Sequence, residues 1–303
     1  MTDTRTPEEI AQRRIEWFKA GNPSTANPEW RDVFPADDDD EEDEEDDEGY
    51  QPAPDILLLS GIGLTEVPKE VFDLDGVDTL MLGNQPLKSL PAQIGKLETL
   101  VSLDLTFTQI ETLPEELFDL PELSELYLQG SAIKSLPASF TRANLSMLTL
   151  DDTALEVFPD FTGTASPLTA LTLSGFRGEA LPDGICTIEG LRQLDCAGSA
   201  LTHLPANIGQ LQQLVQLKIQ DCQLTSLPKS LADIQFAKFF DDHRKKAIAR
   251  GADPKNLPAI PSLYGIHLSG NAFADKQLNE IAKMEDTEAR TLAVQAWCRA
   301  NGD

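Results

Sequence analysis

Side chains able to act as nucleophiles, general bases or metal ligands are few and scattered in this sequence. Hydrolysis or group transfer needs a nucleophile beside a base, or paired carboxylates in a pocket. None of the patterns GxxxxGK(S/T), GxGxxG, HExxH or GxSxG occurs. The remaining candidates are the histidines and cysteines: His203, His243, His267, Cys186, Cys196, Cys222 and Cys298.

These candidates do not predict a catalytic site. In the repeat register described below, the three histidines lie on an outer loop, in an insertion and on a sheet face, so they cannot readily converge. Cys196 and Cys222 take core positions, and no CxxC pair suggests zinc. We predict reduced thiols, no catalytic residue, no metal site and no cofactor, and therefore no enzyme activity.

The net charge limits which classes of binding partner are favoured. The net charge is -27, and residues 37–48 are an unbroken run of carboxylates. Such a chain is poorly suited to nucleic acid or anionic membranes, and a basic protein becomes a favoured partner. The run predicts a disordered acidic linker over residues 36–54. Its role stays open between solvation and spacing, capture of a basic partner, and shielding of a basic patch of the same chain.

No segment predicts membrane insertion or secretion. The opening MTDTRTPEEIAQRRIEW lacks an apolar signal region, and no later stretch reaches the roughly 18 apolar residues that a membrane span requires. We therefore expect a cytoplasmic protein.

Leucine recurs at intervals of 22 or 23 residues, followed by one interval of 49. The long interval fits either two units plus a few residues or one unit with an insertion. Internal repetition at this period indicates a solenoid whose units are stable only when stacked. The first apolar residues of the units are Leu57, Leu80, Leu103, Leu126, Leu148, Leu171, Leu194, Leu217 and Ile266.

One unit shows how residue types predict local structure. Leu80 and Leu82 alternate with Met81, so the two leucines face inward from a short strand. Pro91 lacks a backbone donor and has a fixed φ, so it begins an outer, helix-like segment. Each unit is therefore one strand plus one outer turn.

The segments LPAQIGKLETL, LPEELFDLPEL and LPANIGQLQQL resemble the 23-residue typical class of intracellular leucine-rich repeats. That class occurs in plant Ras-group-related proteins, Scribble-like scaffolds and many bacterial proteins. The resemblance covers about residues 55–273. It implies an α/β horseshoe of about nine repeats with a parallel sheet on its concave side, and partner binding as the usual activity.

Two departures from the pattern are expected to weaken the array. The asparagine that normally bonds buried backbone groups remains only as Asn271, and Thr162 and Gly178 replace apolar residues, which predicts local loosening near residues 158–180. The other asparagine positions carry Ile62, Gln85, Thr108, Ser131, Thr153, Phe176, Ser199 and Cys222.

Helical caps are expected at both ends of the solenoid. Residues 1–35 form an N-terminal helical segment, with Thr6 as N-cap and Glu9 completing a capping box. Docking to a partner is the alternative role of this helix. Residues 274–303 form a C-terminal helical cap. The side chains predicted to face inward there are Leu278, Ile281, Leu292, Ala296 and Trp297.

An insertion at about residues 235–262 interrupts the repeats of the 55–273 solenoid. Residues 230–250 predict a helix that ends at Gly251. It is either a structural bulge or a recognition element on the rim. Its apolar positions are Phe236, Phe239, Phe240 and Ile248, and its basic ones are Lys238, Arg244, Lys245, Lys246, Arg250 and Lys255.

The concave face is the predicted binding surface. We expect a monomeric scaffold that holds a protein partner there, although an ordinary solvated sheet face would look similar. The alternative is an acidic chaperone or mimic that captures basic proteins through the carboxylate run. The predicted partner-binding residues are Asp104, Phe107, Glu125, Tyr127, Asp151, Asp152, Asp195, Lys218 and His267.

Overall fold

The computed structural model describes residues 5–21, 55–253 and 260–301. Nine strands, β1 to β9, form one open parallel sheet in which spatial order follows chain order. This confirms the predicted α/β solenoid of nine units. The strands are Ile56–Leu58, Thr79–Met81, Ser102–Asp104, Glu125–Tyr127, Met147–Thr149, Ala170–Thr172, Gln193–Asp195, Gln216–Lys218 and Gly265–His267.

Short 3₁₀ helices form most of the outer layer. Six of the seven begin directly after a proline. The 3₁₀ helix has three residues per turn, so the three-residue spacing of the apolar side chains keeps them on its inner side. The seven helices are Lys69–Asp73, Ala92–Lys96, Glu115–Asp119, Ala138–Arg142, Asp183–Thr187, Ile208–Gln210 and Lys229–Asp233.

Several polar side chains in the asparagine position still bond the backbone, whereas the buried Ser131 hydroxyl has no hydrogen-bond partner among the described residues. Gln85, Thr108 and Thr153 each donate to the carbonyl three residues earlier, at 2.9, 2.9 and 3.0 Å. Asn271 donates to the carbonyls of Leu268 and Ile219. The two threonine hydroxyls reach their acceptors because these lie within the same turn.

Phenylalanine fills the core where loosening was predicted near residues 158–180. Phe161, beside the expected core position of Thr162, is buried and stacks on Phe158 at a centroid distance of 5.9 Å. A Cβ on Gly178 would lie 2.5 Å from the Phe176 ring, so the glycine makes room for that ring. Aromatic rings thus occupy the core beside both unusual residues, and the local loosening stays a prediction.

The N-terminal helix α1, Pro7–Lys19, packs against β1. The predicted capping box of Thr6 and Glu9 is confirmed. Arg14 donates to the carbonyls of Leu58 and Ser60 at the open edge of the sheet. The predicted apolar stripe is buried: Ala11, Ile15 and Phe18.

The insertion is a helix within a single unit. β8 pairs directly with β9, so the 49-residue interval is one repeat with an insertion. Helix α2, Phe236–Ala249, follows a separate 3₁₀ turn and therefore begins later than predicted. Ile248, one of the apolar positions of the predicted helix, is exposed. The acidic run of residues 37–48 lies outside the described residues.

Two helices close the C-terminal end: α3, Lys276–Ala282, and α4, Thr287–Asn301. Leu278, Ile281 and Trp297 are buried as predicted. Leu292 and Ala296 face outward, so the prediction for these two residues is wrong.

The reason is that α4 turns polar side chains toward the last repeat. Thr291 accepts a hydrogen bond from the Ile266 N–H, and Arg290 donates to the Ile266 carbonyl. Gln295 donates to the carbonyl of Ile234 at 2.7 Å. Since an unpaired buried backbone group is costly, satisfying this sheet edge outweighs burial of the leucine.

Candidate functional site

The strand register places the predicted central column of the concave face as expected. Each residue of this column pairs directly with the next one along the sheet. In each of β1 to β5, a buried leucine lies between two partly exposed residues. The column is Leu58, Met81, Asp104, Tyr127, Thr149, Thr172, Asp195, Lys218 and His267.

One residue three positions after each central residue has a positive φ, in all nine units. Glycine, asparagine and aspartate tolerate this left-handed conformation, whereas a bulky residue there is strained. Phe107, with φ of 53°, is the exception to these residue types, and it is 56% exposed. The nine residues are Gly61, Asn84, Phe107, Gly130, Asp152, Gly175, Gly198, Asp221 and Gly270.

The Phe107 ring is held against the neighbouring repeat. A Cβ on Gly130 would lie 2.4 Å from this ring, so only glycine leaves room for it. The Phe107 N–H also donates to the carbonyl of Gln129 at 2.8 Å. The structure therefore displays a large apolar side chain from a fixed backbone position.

Tyr127 lies in the next strand with its hydroxyl engaged. The hydroxyl donates to a Glu125 carboxylate oxygen at 3.0 Å and lies 3.4 Å from the Met147 sulfur. Burial raises the pKa of Tyr127 above its ordinary value, and the Glu125 carboxylate and the nearby Asp104 charge raise it further. The phenol therefore stays neutral at physiological pH and presents a partly exposed ring.

After Tyr127 in the column, the carboxylates accept hydrogen bonds from groups on neighbouring strands of the same sheet. Asp151 accepts from the Thr172 hydroxyl and from the Ser174 N–H, both at 2.6 Å. Asp195 accepts from the Ser174 hydroxyl at 3.0 Å and from Lys218 at 2.7 Å. Sequence reasoning missed Thr172 and Ser174 as members of this network.

His267 ends the column against the C-terminal cap. Its Nε2 lies 2.9 Å from the Tyr264 carbonyl, which can only accept, so Nε2 carries the proton. Arg290 lies 3.4 Å from Nδ1. Burial lowers the pKa of His267, and the Arg290 charge lowers it further, which favours the neutral imidazole.

The nine predicted site residues form a stripe rather than one pocket. Neighbouring strands are about 4.8 Å apart, so Asp104 and His267, six strands apart, are separated by about 29 Å along the sheet. The structure brings together Asp104, Phe107, Glu125 and Tyr127 in the third and fourth repeats. Asp151, Asp152, Asp195, Lys218 and His267 continue the stripe. The importance of Arg290 was not predicted, because its role depends on how the cap docks.

The four cysteines are all buried and free. Burial raises the pKa of Cys186 and of Cys298 to about 12, which keeps both thiols protonated. A protonated buried thiol is a poor nucleophile. Among the described residues, no helix is both long enough and apolar enough to cross a membrane.

One short parallel strand per repeat, an outer 3₁₀ layer and an open sheet define a solenoid repeat protein. The repeat pattern and the solved structures with similar folds define the fold further: the chain has the fold of leucine-rich-repeat proteins. No protein-family model matches the sequence, and no curated protein does either.

Three solved structures illustrate the similarity. A leucine-rich-repeat protein of Leptospira interrogans is 27% identical, with a TM-score of 0.49, over 73% of this chain and 56% of the other. The ectodomain of the Arabidopsis thaliana receptor kinase GASSHO1/SCHENGEN3 is 22% identical, with a TM-score of 0.51, over 72% and 24%. A TDR receptor is 20% identical, with a TM-score of 0.54, over 71% and 34%. The match thus spans from about a quarter to just over half of these proteins.

Proposed function

We propose that this protein is an interaction scaffold that binds a protein partner on the concave face of its third to fifth repeats. Phe107 and Tyr127 are the aromatic anchors. Asp104, Glu125 and Asp152 surround them with negative charge. Aromatic residues at the centre of a charged rim are frequent anchors of protein interfaces.

The conformation of Phe107 is the observation that carries this proposal. The other units use glycine, asparagine or aspartate at this position, which are the residues best suited to a positive φ. A strained, exposed phenylalanine gives the isolated protein no evident stability. Local strain of this kind is typical of functional surfaces.

The carboxylates around the anchors favour a partner with basic side chains. Asp152 is exposed, and within the described part of the chain the Asp104 carboxylate accepts a hydrogen bond only from the Thr106 N–H of its own turn. Asp151, Asp195, Lys218 and His267 bond one another or groups of neighbouring repeats and the C-terminal cap. In this proposal they therefore shape the face rather than anchor the partner. The plant receptor ectodomain was solved in complex with CASPARIAN STRIP INTEGRITY FACTOR 2, which shows that this fold can support ligand binding.

A comparative capture experiment tests the proposal. Proteins retained by the intact chain are identified by mass spectrometry and compared with those retained by Phe107→Asn, by Tyr127→Ala and by a chain with residues 37–48 replaced by Gly and Ser. Partners lost with either aromatic but kept by the replaced chain support the concave face.

The same experiment has a distinct contrary result. Partners that survive both aromatic substitutions but disappear with residues 37–48, or at moderate salt, assign binding to the acidic run instead. Thermal melting of each variant controls for loss of folding.

A further inference from the structure

A cleft of about 250 Å³ lies between α2 and the chain segment that leads into β8. It is separate from the concave column, because its residues precede the strand instead of projecting from it. Its walls are Arg192, Gln212, Gln213, Leu214, Val215, Gln235, Lys238, Phe239, Asp242, His243 and Lys246.

Helix α2 is fixed firmly enough to form a lasting wall. Phe236 and Phe240 are fully buried in the core. The Phe239 ring contacts the Tyr264 ring at a centroid distance of 4.9 Å. Arg244 forms an ion pair with Glu288 of the C-terminal cap. The helix is therefore held on two sides, and the side with Lys238, Asp242 and Lys246 faces the cleft.

The cleft concentrates unpaired positive charge in an acidic protein. Arg192, Lys238 and Lys246 form no ion pair among the residues that the structure describes. Asp242 is the acidic residue of the lining, and it pairs with Lys245 at 3.2 Å. The net charge of -27 makes such a concentration of cations unusual for this chain.

The spacing of the cations indicates the shape of the ligand. Lys238 and Lys246 are eight residues apart on one helix, which corresponds to about 12 Å along its axis. A single phosphate or carboxylate contacts both only if the two side chains bend toward each other, whereas two acidic groups at matching spacing do not require this. In an extended peptide, side chains four residues apart lie on one face about 13 Å apart. Acidic side chains at that spacing match the two lysines.

We propose that this cleft binds a carboxylate-rich peptide segment in an extended conformation. Lys238 and Lys246 pair with acidic side chains four residues apart, and Arg192 contacts the segment from the opposite wall. The glutamines of the lining donate to peptide carbonyls. The insertion thus adds a rim site whose preferred charge is opposite to that of the concave face.

The test measures binding of a fluorescein-labelled hexaglutamate peptide to the full chain by anisotropy at low salt, with labelled hexaglutamine as the neutral probe. Lys238→Gln and Lys246→Gln are each expected to weaken hexaglutamate binding about two- to fivefold, since exposed charge pairs contribute modestly. Asp242→Asn removes a repulsive charge and should tighten it about twofold.

Arg250→Gln is the matched control, because it removes one positive charge from the end of the same helix but does not line the cleft. All variants retain residues 37–48, and the same measurements on a chain in which that run is replaced by Gly and Ser remove its competition for the cleft. Equal weakening by Arg250→Gln would overturn the proposal, as would equal binding of hexaglutamine. Competition by inorganic phosphate at concentrations matched in ionic strength to a chloride control would also overturn it in favour of a simple anion site.

Discussion

The two halves of the concave face use the same strand register in different ways. In the third and fourth repeats, the face carries an exposed Phe107, just after β3, and a partly exposed Tyr127 in β4. From β5 to β9, Asp151, Asp195, Lys218 and His267 are engaged in hydrogen bonds within the chain, as in the Asp195 to Lys218 pair. The first half exposes aromatic side chains that are not needed for folding. The second half uses its polar side chains in hydrogen bonds within the chain.

This difference separates stability from recognition. A hydrogen-bonded charge that is largely removed from water is costly to disrupt, because its partners are left unsatisfied. An exposed strained aromatic gives the opposite expectation, since its removal relieves strain. The two halves should therefore respond to substitution with opposite signs.

The largest effect is expected in the bonded half. Asp195→Ala removes the acceptor of Lys218 and of the Ser174 hydroxyl, and should lower the free energy of unfolding by about 2 kcal/mol. Urea denaturation measures this change. Glu111→Ala, which breaks the exposed Lys134 to Glu111 pair, should cost less than about 0.5 kcal/mol. Similar losses of unfolding free energy in both variants would show that the Asp195 network is no more stabilising than an exposed ion pair.

The second effect has the opposite sign. Phe107→Asn places at this position the residue that the second unit has as Asn84, and relief of backbone strain should raise the free energy of unfolding by about 1 kcal/mol. The reverse change, Asn84→Phe, should lower it by a similar amount. Destabilisation by Phe107→Asn would show that the ring contributes to folding, and would weaken its assignment as an anchor.

The third effect is a dependence of stability on pH in the bonded half. The pKa of His267 is lowered in the folded protein, so unfolding takes up a proton in the window between that lowered value and the ordinary value of about 6.5. Its contribution to stability is complete above that window and is lost as pH falls through it.

Denaturation midpoints of the wild type and His267→Gln between about pH 5 and 8 isolate this contribution from the carboxylates that both proteins share. The wild type should lose stability relative to the variant as the pH falls. Parallel curves would show that His267 is not held neutral by its surroundings.

The smallest effect concerns the phenol of the displayed half. Glu125→Gln removes an acceptor charge, so the pKa of Tyr127 should fall toward its ordinary value without reaching it, because burial is the larger cause. Phenolate absorbance measures the titration, and Tyr127→Phe identifies which part of the signal belongs to this residue. An unchanged titration would show that the Glu125 contact does not act on the phenol.

Much of the fold was predictable because repetition restricts the possible arrangements. Leu80 and its equivalents must stack, and a strand turns alternate side chains to opposite faces, so the position of Met81 or Asp104 in the column follows from counting. The capping box at Thr6 was equally predictable, since it depends on residues three apart. The nine candidate residues consequently lie in or beside the predicted column, although their role in binding stays a prediction.

The burial and orientation of a side chain were harder to predict where they depend on residues that are distant in the sequence. Nothing near Leu292 in sequence indicates that α4 must turn Arg290 and Thr291 toward the open edge of the sheet. Likewise, Phe161 compensates for Thr162 only because the neighbouring rings leave room for it.

The sequence by itself determined the repeat, the register and the order of residues along the concave column, because these depend on local spacing. Only the tertiary structure decided which of those residues are already satisfied and which are displayed. Hydrogen bonds, burial and left-handed backbone geometry depend on groups one or more repeats away. The repeat period predicts where those groups lie, but it does not predict which side chains they contact.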